Sequence, residues 1–165
     1  MTAVSQQAVG ARPRLLVRIA WKGHRALYRL SGGQLGLTQP ETGSRFGMLR
    51  LTTTGRRSGQ PRITMIGYYP DGENLVTMAM NGWADAEPAW WLNLQATPKA
   101  TVDLPDGPRN VLARTATGAE RDRLWAKFRD YPGWGPDLDA LAAGRSIPTA
   151  VIVLVPQATG LATSS

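Results

Sequence analysis

From Phe46 onward the chain is a succession of short β-type runs separated by turn chemistry, and this pattern limits the fold more than any other feature. The runs are Phe46–Thr53, Ile63–Tyr69, Glu73–Met80, Lys99–Leu104, Arg109–Thr115 and Val151–Val155. Asp71-Gly72 and Pro105-Asp-Gly-Pro108 are tight-turn signals between neighbouring runs, which marks hairpins. Lys99–Leu104 alternates, with Ala100, Val102 and Leu104 on one side. Val151–Val155 is continuously apolar, as a strand buried on both faces would be. Helices interrupt the series. Pro88 suits the first turn of one that Thr97-Pro98 closes. Thr117-x-x-Glu120 reads as a capping box for a second, running to about Asp130. A short third over Asp137–Ala143 follows the aromatic loop Tyr131–Pro136. Six strands joined mostly by hairpins predict a mainly β (α+β) fold, an antiparallel barrel with helices over its ends.

Charge divides the chain. Residues 1–50 hold eight basic side chains (Arg12, Arg14, Arg18, Lys22, Arg25, Arg29, Arg45, Arg50) against Glu41 alone, so the whole net charge of +7 lies there. Residues 1–11 read as disordered and 12–43 as a basic amphipathic helix and a loop. Residues 44–156 read as the barrel domain and 157–165 as a polar tail. On a helical wheel Leu15, Leu16, Ile19, Ala20, Leu27 and Leu30 share one arc and five basic residues the other, with Trp21 and Tyr28 at the border. Two readings stay open: an interfacial helix that meets an anionic membrane surface, or a helix that packs its apolar face on the barrel. Beyond residue 50 basic and acidic residues cancel, and no basic face interleaved with aromatics points to nucleic acid.

Composition removes several chemistries. The 165 residues suit one domain. There is no cysteine, hence no disulfide and no thiolate nucleophile. His24 is the only histidine, which argues against a Ser-His-Asp relay and a histidine-rich metal site, and no metal is expected. No run of about 18 apolar residues is present, so the default expectation is a cytoplasmic protein. It would be peripheral on the inner face of the cell membrane if the first helix is interfacial. The oligomeric state is not readable.

Two segments carry the chemistry. Thr52-Thr-Thr-Gly-Arg-Arg-Ser-Gly-Gln-Pro-Arg62 sets Arg56, Arg57 and Arg62 in a glycine-bent loop between two strands. Forked guanidinium donors beside exposed backbone N–H groups make an anion cradle. The alternative is a solvated hairpin that happens to be basic. The second is Pro88-Ala-Trp-Trp-Leu-Asn-Leu-Gln-Ala-Thr-Pro98, with Trp90 and Asn93 three residues apart on a helix. Its bland reading is a short core helix with a satisfied asparagine.

Together these segments, with Ile147-Pro-x-x-Val-Ile-Val-Leu-Val-Pro156, resemble the deazaflavin-dependent nitroreductase family, actinobacterial oxidoreductases that use reduced coenzyme F-420. The resemblance implies a split β-barrel similar to flavin-nucleotide-binding barrels. It also implies hydride transfer to a planar conjugated small molecule such as a quinone, enone or nitroaromatic. The alternative is a non-catalytic module that binds or carries deazaflavin or a flavin nucleotide. By resemblance, Arg56, Arg57, Ser58 and Arg62 match the phosphate and tail contacts, and Ile63, Thr64 and Met65 follow along the cofactor. Met78, Ala79, Met80 and Asn81 match the strand end beside the ring. Ala89, Trp90, Trp91, Leu92 and Asn93 match the helix on the phosphate side. Tyr68, Met80, Trp83, Tyr131 and Trp134 are the expected substrate pocket, and the proton would come from water or from a nearby hydroxyl such as Tyr68 or Tyr131. Tyr131 and Trp134 read equally as core packing. Met80 and Asn81 stand where nitroimidazole-reducing members carry a small hydroxyl residue and a lysine. Trp83 stands where glycine is common, and Asp137 where a further aromatic is common. The resemblance assigns no catalytic side chain.

Overall fold

The computed structural model describes residues 36–158; the expected N-terminal disorder and basic helix, and most of the tail, lie outside them. Six strands follow in order: β1 Gly47–Thr54, β2 Pro61–Asp71, β3 Asn74–Met78, β4 Lys99–Leu104, β5 Gly107–Thr115 and β6 Val151–Pro156. Three helices join them: α1 Ala89–Ala96, α2 Gly118–Lys127, continued by a 3-10 turn at Phe128–Asp130, and α3 Leu138–Ala143. No helix among the described residues is long and apolar enough to cross a membrane.

The strands close an antiparallel barrel in the order β1-β2-β3-β6-β5-β4, with β4 returning to β1 through Arg50↔Asp103 and Thr52↔Thr101. The two tight-turn signals fall where expected. Gly72-Glu73 turns β2 into β3 and Pro105-Asp106 turns β4 into β5, each as a two-residue hairpin. The strands therefore have two ends. One carries these short turns; the other carries the β1–β2 hairpin loop, the exit of β3 and helix α1.

The two-residue side-chain period of a strand sorts the core into two. Leu49, Leu51, Ile66, Tyr68, Leu75, Val102, Leu104, Val111, Ile152 and Leu154 fill the barrel, and Trp90, Trp91 and Leu94 of α1 join them from one end. Their neighbours on the same strands, Tyr69, Val76, Met78, Val151 and Val153, face outward. Leu124, Phe128, Tyr131, Trp134 and Leu138 cover that outer face. Val151–Val155 is apolar throughout because β6 is buried on both sides.

The capping box is not formed. Thr117 is the N-cap of α2, but its side chain makes no capping bond. Glu120 is drawn instead into a forked pair with Arg114 of β5, at 2.8 and 2.7 Å. A guanidinium within reach of both carboxylate oxygens outcompetes one backbone N–H. The third helix is capped as its sequence invites: Asp137 accepts the Ala140 N–H at 3.0 Å.

Candidate active site

The arginine loop is the tip of the β1–β2 hairpin, and backbone bonds close it: Gly55 N–H to Gln60 O and Gly59 N–H to Gly55 O, both 2.8 Å. A Cβ at Gly55 would lie 2.8 Å from Ser58 Oγ and 3.1 Å from Gln60 O, so the tip needs glycine there. Ser58 Oγ accepts the Gln60 N–H (3.2 Å) and Arg62 Nη2 (3.3 Å). Asn93 of α1, 4% exposed, completes the assembly. Its Oδ1 accepts Arg56 N–H at 3.1 Å and Arg56 Nη1 at 3.2 Å, while its Nδ2 donates to Thr53 Oγ1 at 3.1 Å.

Arg56, Arg57 and Arg62 are exposed, and no carboxylate pairs with any of them among the described residues. Elsewhere arginines 50, 109, 114, 123 and 129 each meet an Asp or Glu. Three guanidinium groups without carboxylate partners thus stand at one hairpin tip, Arg56 tied to Asn93 and Arg62 to Ser58. Forked donors in such a group suit a polyanion.

Beside the cradle the barrel is split. Along β2, residues 61–68 pair with β1, yet β2 meets β3 only through Tyr69–Asp71 against Asn74–Val76. From Arg62 to Tyr68 the other edge of β2 has no strand partner among the described residues. Ile63, Met65 and Gly67 alternate along this stretch, with Ile63 59% exposed and Met65 buried. Gly67 admits close approach: a Cβ there would lie 2.8 Å from Trp134 and 2.9 Å from Phe46.

The segment leaving β3 carries Met80, Asn81 and Trp83. Ala84 N–H bonds to Asn81 O at 3.1 Å, and the two residues between have φ of 57° (Gly82) and 63° (Trp83). Positive φ at both central positions is the type I′ pattern, in which glycine or asparagine is the rule. A tryptophan there costs roughly 1–2 kcal/mol of backbone energy. Its indole Nε1 donates to Trp134 O at 3.1 Å, and its ring packs against the outer core with Met80.

Sequence reasoning missed one residue of this region. Arg145, 7% exposed, donates to Ala79 O (3.0 Å), Ala84 O (3.0 Å), Ala86 O (3.2 Å) and Thr149 Oγ1 (2.8 Å). The only available signal was its place just after the helix-ending Gly144, which in sequence looks like any solvated arginine.

The expected cofactor residues gather at one end of the barrel, on the hairpin, the β3 exit and α1. They divide by exposure. Arg56, Arg57, Ser58, Arg62, Ile63, Asn81 and Ala89 are exposed, and Thr64, Met80 and Leu92 are half-buried. Met65, Met78, Ala79, Trp90, Trp91 and Asn93 are buried behind them. Asn93 spends its amide within the protein, so it serves the cradle by ordering Arg56.

The expected substrate pocket is only partly brought together. Met80, Trp83, Tyr131 and Trp134 share the outer core. Tyr68 points into the barrel and lines a small cavity with Gln39, Asp106 and Arg109, at the end away from the cradle. Burial, and then the charge of Asp106, push its phenol up to about 12. The hydroxyl of Tyr131 accepts from Thr42 Oγ1 at 3.3 Å, and its ring stacks on Tyr69 at 5.2 Å.

The family model described as F-420H(2)-dependent quinone reductase matches residues 20–156. This chain belongs to that family. It is an oxidoreductase that uses reduced coenzyme F-420, as the two sequence motifs implied. An F-420H(2)-dependent quinone reductase of Mycobacterium tuberculosis is 33% identical over 104 residues, which are 62% of this chain and 68% of that protein. Solved structures share the fold. A protein described as a domain-swapped dimer superposes with a TM-score of 0.60 at 23% identity, covering 86% of this chain and 98% of its own. An F-420-H2-dependent reductase (FDR-A) gives 0.56 at 22% identity, covering 69% and 97%. The split barrel expected of the family is the fold observed.

Proposed function

We propose that this family member reduces a quinone and holds reduced F-420 across the hairpin tip and the split between β2 and β3. The observation that carries this is the group of Arg56, Arg57 and Arg62, without carboxylate partners, with Arg56 held by Asn93 and Arg62 by Ser58, opening beside the unpaired edge of β2. The residues present fit the cofactor, whose phosphate and oligoglutamate tail call for several fixed forked cations. When bound, reduced F-420 supplies the hydride, so the protein's part is orientation and exclusion of water. Arg56 and Arg62 hold the phosphate end, and Arg57, with no hydrogen bond to another described residue, reaches the tail. Ile63 and Met65 give the ring a wall along one face of β2, with Thr64 between them on the other face. Met80 and Trp83 close the opposite side with apolar surface, which suits a flat quinone better than a nitroimidazole.

Tyr68 faces the far end of the barrel, and its raised pKa opposes proton loss. Tyr131 lies at a similar height along β2, stacked on Tyr69, but on the outer core with Met80, Trp83 and Trp134. It is the tyrosine we assign to a proton relay, with Thr42 as its hydrogen-bond partner. An N-terminal helix carrying Arg12, Arg14, Arg18, Lys22, Arg25 and Arg29 would bring this site to an anionic membrane holding lipid-soluble quinone. Co-sedimentation with anionic vesicles, for the full chain and a chain lacking residues 1–31, tests that part.

The site itself is tested by titrating the protein with reduced and oxidised F-420, flavin mononucleotide and NADPH. Oxidation of reduced F-420 is then followed with a quinone, an enone and a nitroaromatic. Quinone turnover ahead of the other two is expected. Binding of flavin mononucleotide without any response to F-420 would overturn the proposal, and stoichiometric F-420 binding without turnover would leave a carrier.

A further inference from the structure

We infer that Arg145 is a positioning residue for the reaction, acting through the backbone of Ala79–Ala86 to hold Met80, Asn81 and Trp83 against the substrate. The inference rests on the site proposed above. Its basis is that one buried guanidinium brackets one turn. Arg145 Nη1 binds Ala79 O before the turn, and Nε and Nη2 bind Ala84 O and Ala86 O after it. The enclosed turn, Asn81–Ala84, carries the tryptophan at φ 63°.

A backbone conformation that side chains disfavour persists where its surroundings over-determine it. Here they do so from several sides. Ala79 is fixed twice, by its N–H to Ala150 O at 2.9 Å and by its carbonyl to Arg145. Asp85 accepts the Ser146 N–H at 2.7 Å, pinning the loop a second time to the segment that carries Arg145. Trp83 Nε1 reaches Trp134 O. Arg145 is itself seated by Thr149 Oγ1 and by its own N–H to Ala142 O at the end of α3. Among the described residues no carboxylate pairs with this buried cation; its partners are three backbone carbonyls and one hydroxyl. Only the planar five-donor fork of arginine can span acceptors spread over eight residues of loop.

The clamp touches the β3 exit and the loop after it, whereas the arginine cradle is ordered from α1. Releasing the clamp should therefore leave the phosphate end in place and misplace the reacting faces. Misplacement of this kind reads out in turnover, because the bound geometry and not the affinity is lost.

The experiment compares wild type with Arg145→Met, Arg145→Lys and Thr149→Val. Each variant is measured for F-420 affinity by fluorescence titration and for kcat and KM with a short-chain naphthoquinone. Arg145→Met and Arg145→Lys are expected to lose about tenfold or more in kcat while F-420 affinity stays within about threefold. Lysine keeps the charge but cannot meet three carbonyls at once, so its failure to rescue separates positioning from charge. Thr149→Val, nearly isosteric, keeps the fold even if the arginine variants do not. It unseats Nη1, and its kcat should fall by about threefold with unchanged affinity. Wild-type kcat in the folded variants, or a loss confined to F-420 affinity, would overturn the inference. A wild-type protein that neither binds nor oxidises reduced F-420 would defeat the underlying site instead.

Discussion

Replacing Asn93 with alanine measures how far the arginine cradle is built before any ligand arrives. The asparagine is 4% exposed and makes three hydrogen bonds: two accepted from Arg56, one donated to Thr53. A neutral intramolecular hydrogen bond contributes about 0.5–1.5 kcal/mol and one to a charged group about 1.5–3 kcal/mol. The Arg56 guanidinium sits in water and rehydrates once released, so its bond belongs at the low end of that range. The sum is a loss of roughly 2.5–4.5 kcal/mol of stability. For a chain of this size that lowers the melting temperature by about 5–18 °C. Cofactor affinity should fall by about tenfold, since one charge-assisted contact is loosened and not deleted. Urea unfolding followed by circular dichroism reads the first effect, and fluorescence titration with F-420 reads the second. Asn93→Asp supplies the control: it keeps an acceptor for Arg56 but places a negative charge in the cradle. Its affinity should fall at least as far as that of the alanine variant while its stability falls less. Stability within about 0.5 kcal/mol of wild type, together with unchanged affinity in Asn93→Ala, would refute the reasoning.

Arg56→Ala and Arg62→Ala should each weaken F-420 binding by about tenfold or more with the fold intact, and Arg57→Ala by less, all read by the same titration. Gly67→Ala places a methyl 2.8 Å from Trp134 and 2.9 Å from Phe46; overpacking of this kind should cost about 1–3 kcal/mol in urea unfolding. The hydrogen bond from Arg123, with help from Lys127 and against the effect of burial, lowers the Asp71 pKa from 3.8 to about 2. A folded-state pKa below the unfolded one stabilises the fold above the unfolded value, and that stability is lost as pH falls through the folded value. Urea midpoints should therefore drop more steeply between pH 4 and 2 for wild type than for Asp71→Asn, with the two curves converging at the acid end.

The hairpin plan was legible because it is local. Asp71-Gly72 and Pro105-Asp106 sit where two-residue turns occur, and β4 matches its predicted bounds residue for residue. The barrel follows from six such strands. The split does not, because nothing in Pro61–Asp71 marks the residue at which β3 stops pairing. Side-chain direction was lost for a related reason. A one-residue step along a strand exchanges inside for outside. Tyr68 and Tyr69 are adjacent and chemically alike, yet one faces the barrel interior and the other the outer core. The Thr117-x-x-Glu120 signature failed because a partner distant from the helix, Arg114 on β5, competes for the same carboxylate. Arg145 was invisible because three of its four acceptors are backbone carbonyls about 60 residues upstream, which no local pattern encodes.

The arrangement of α1 connects the two halves of this chemistry. An eight-residue helix has little stability of its own. Trp90, Trp91 and Leu94, at 9%, 6% and 1% exposure, supply the burial that holds it on the end of the barrel. The same helix carries Asn93, whose amide orders Arg56. The order of the cradle is thus coupled to packing inside the barrel, through a helix too short to keep its place without its tryptophans. Substitutions at interior strand residues beneath Trp91 should then lower F-420 affinity although the substituted positions are not themselves among the expected cofactor residues. The clamp on Ala79–Ala86 draws on the outer core through α3 and Trp134. In the proposed site each face of the β-sheet would therefore fix a different part: the inner face the anion end, the outer face the reacting end.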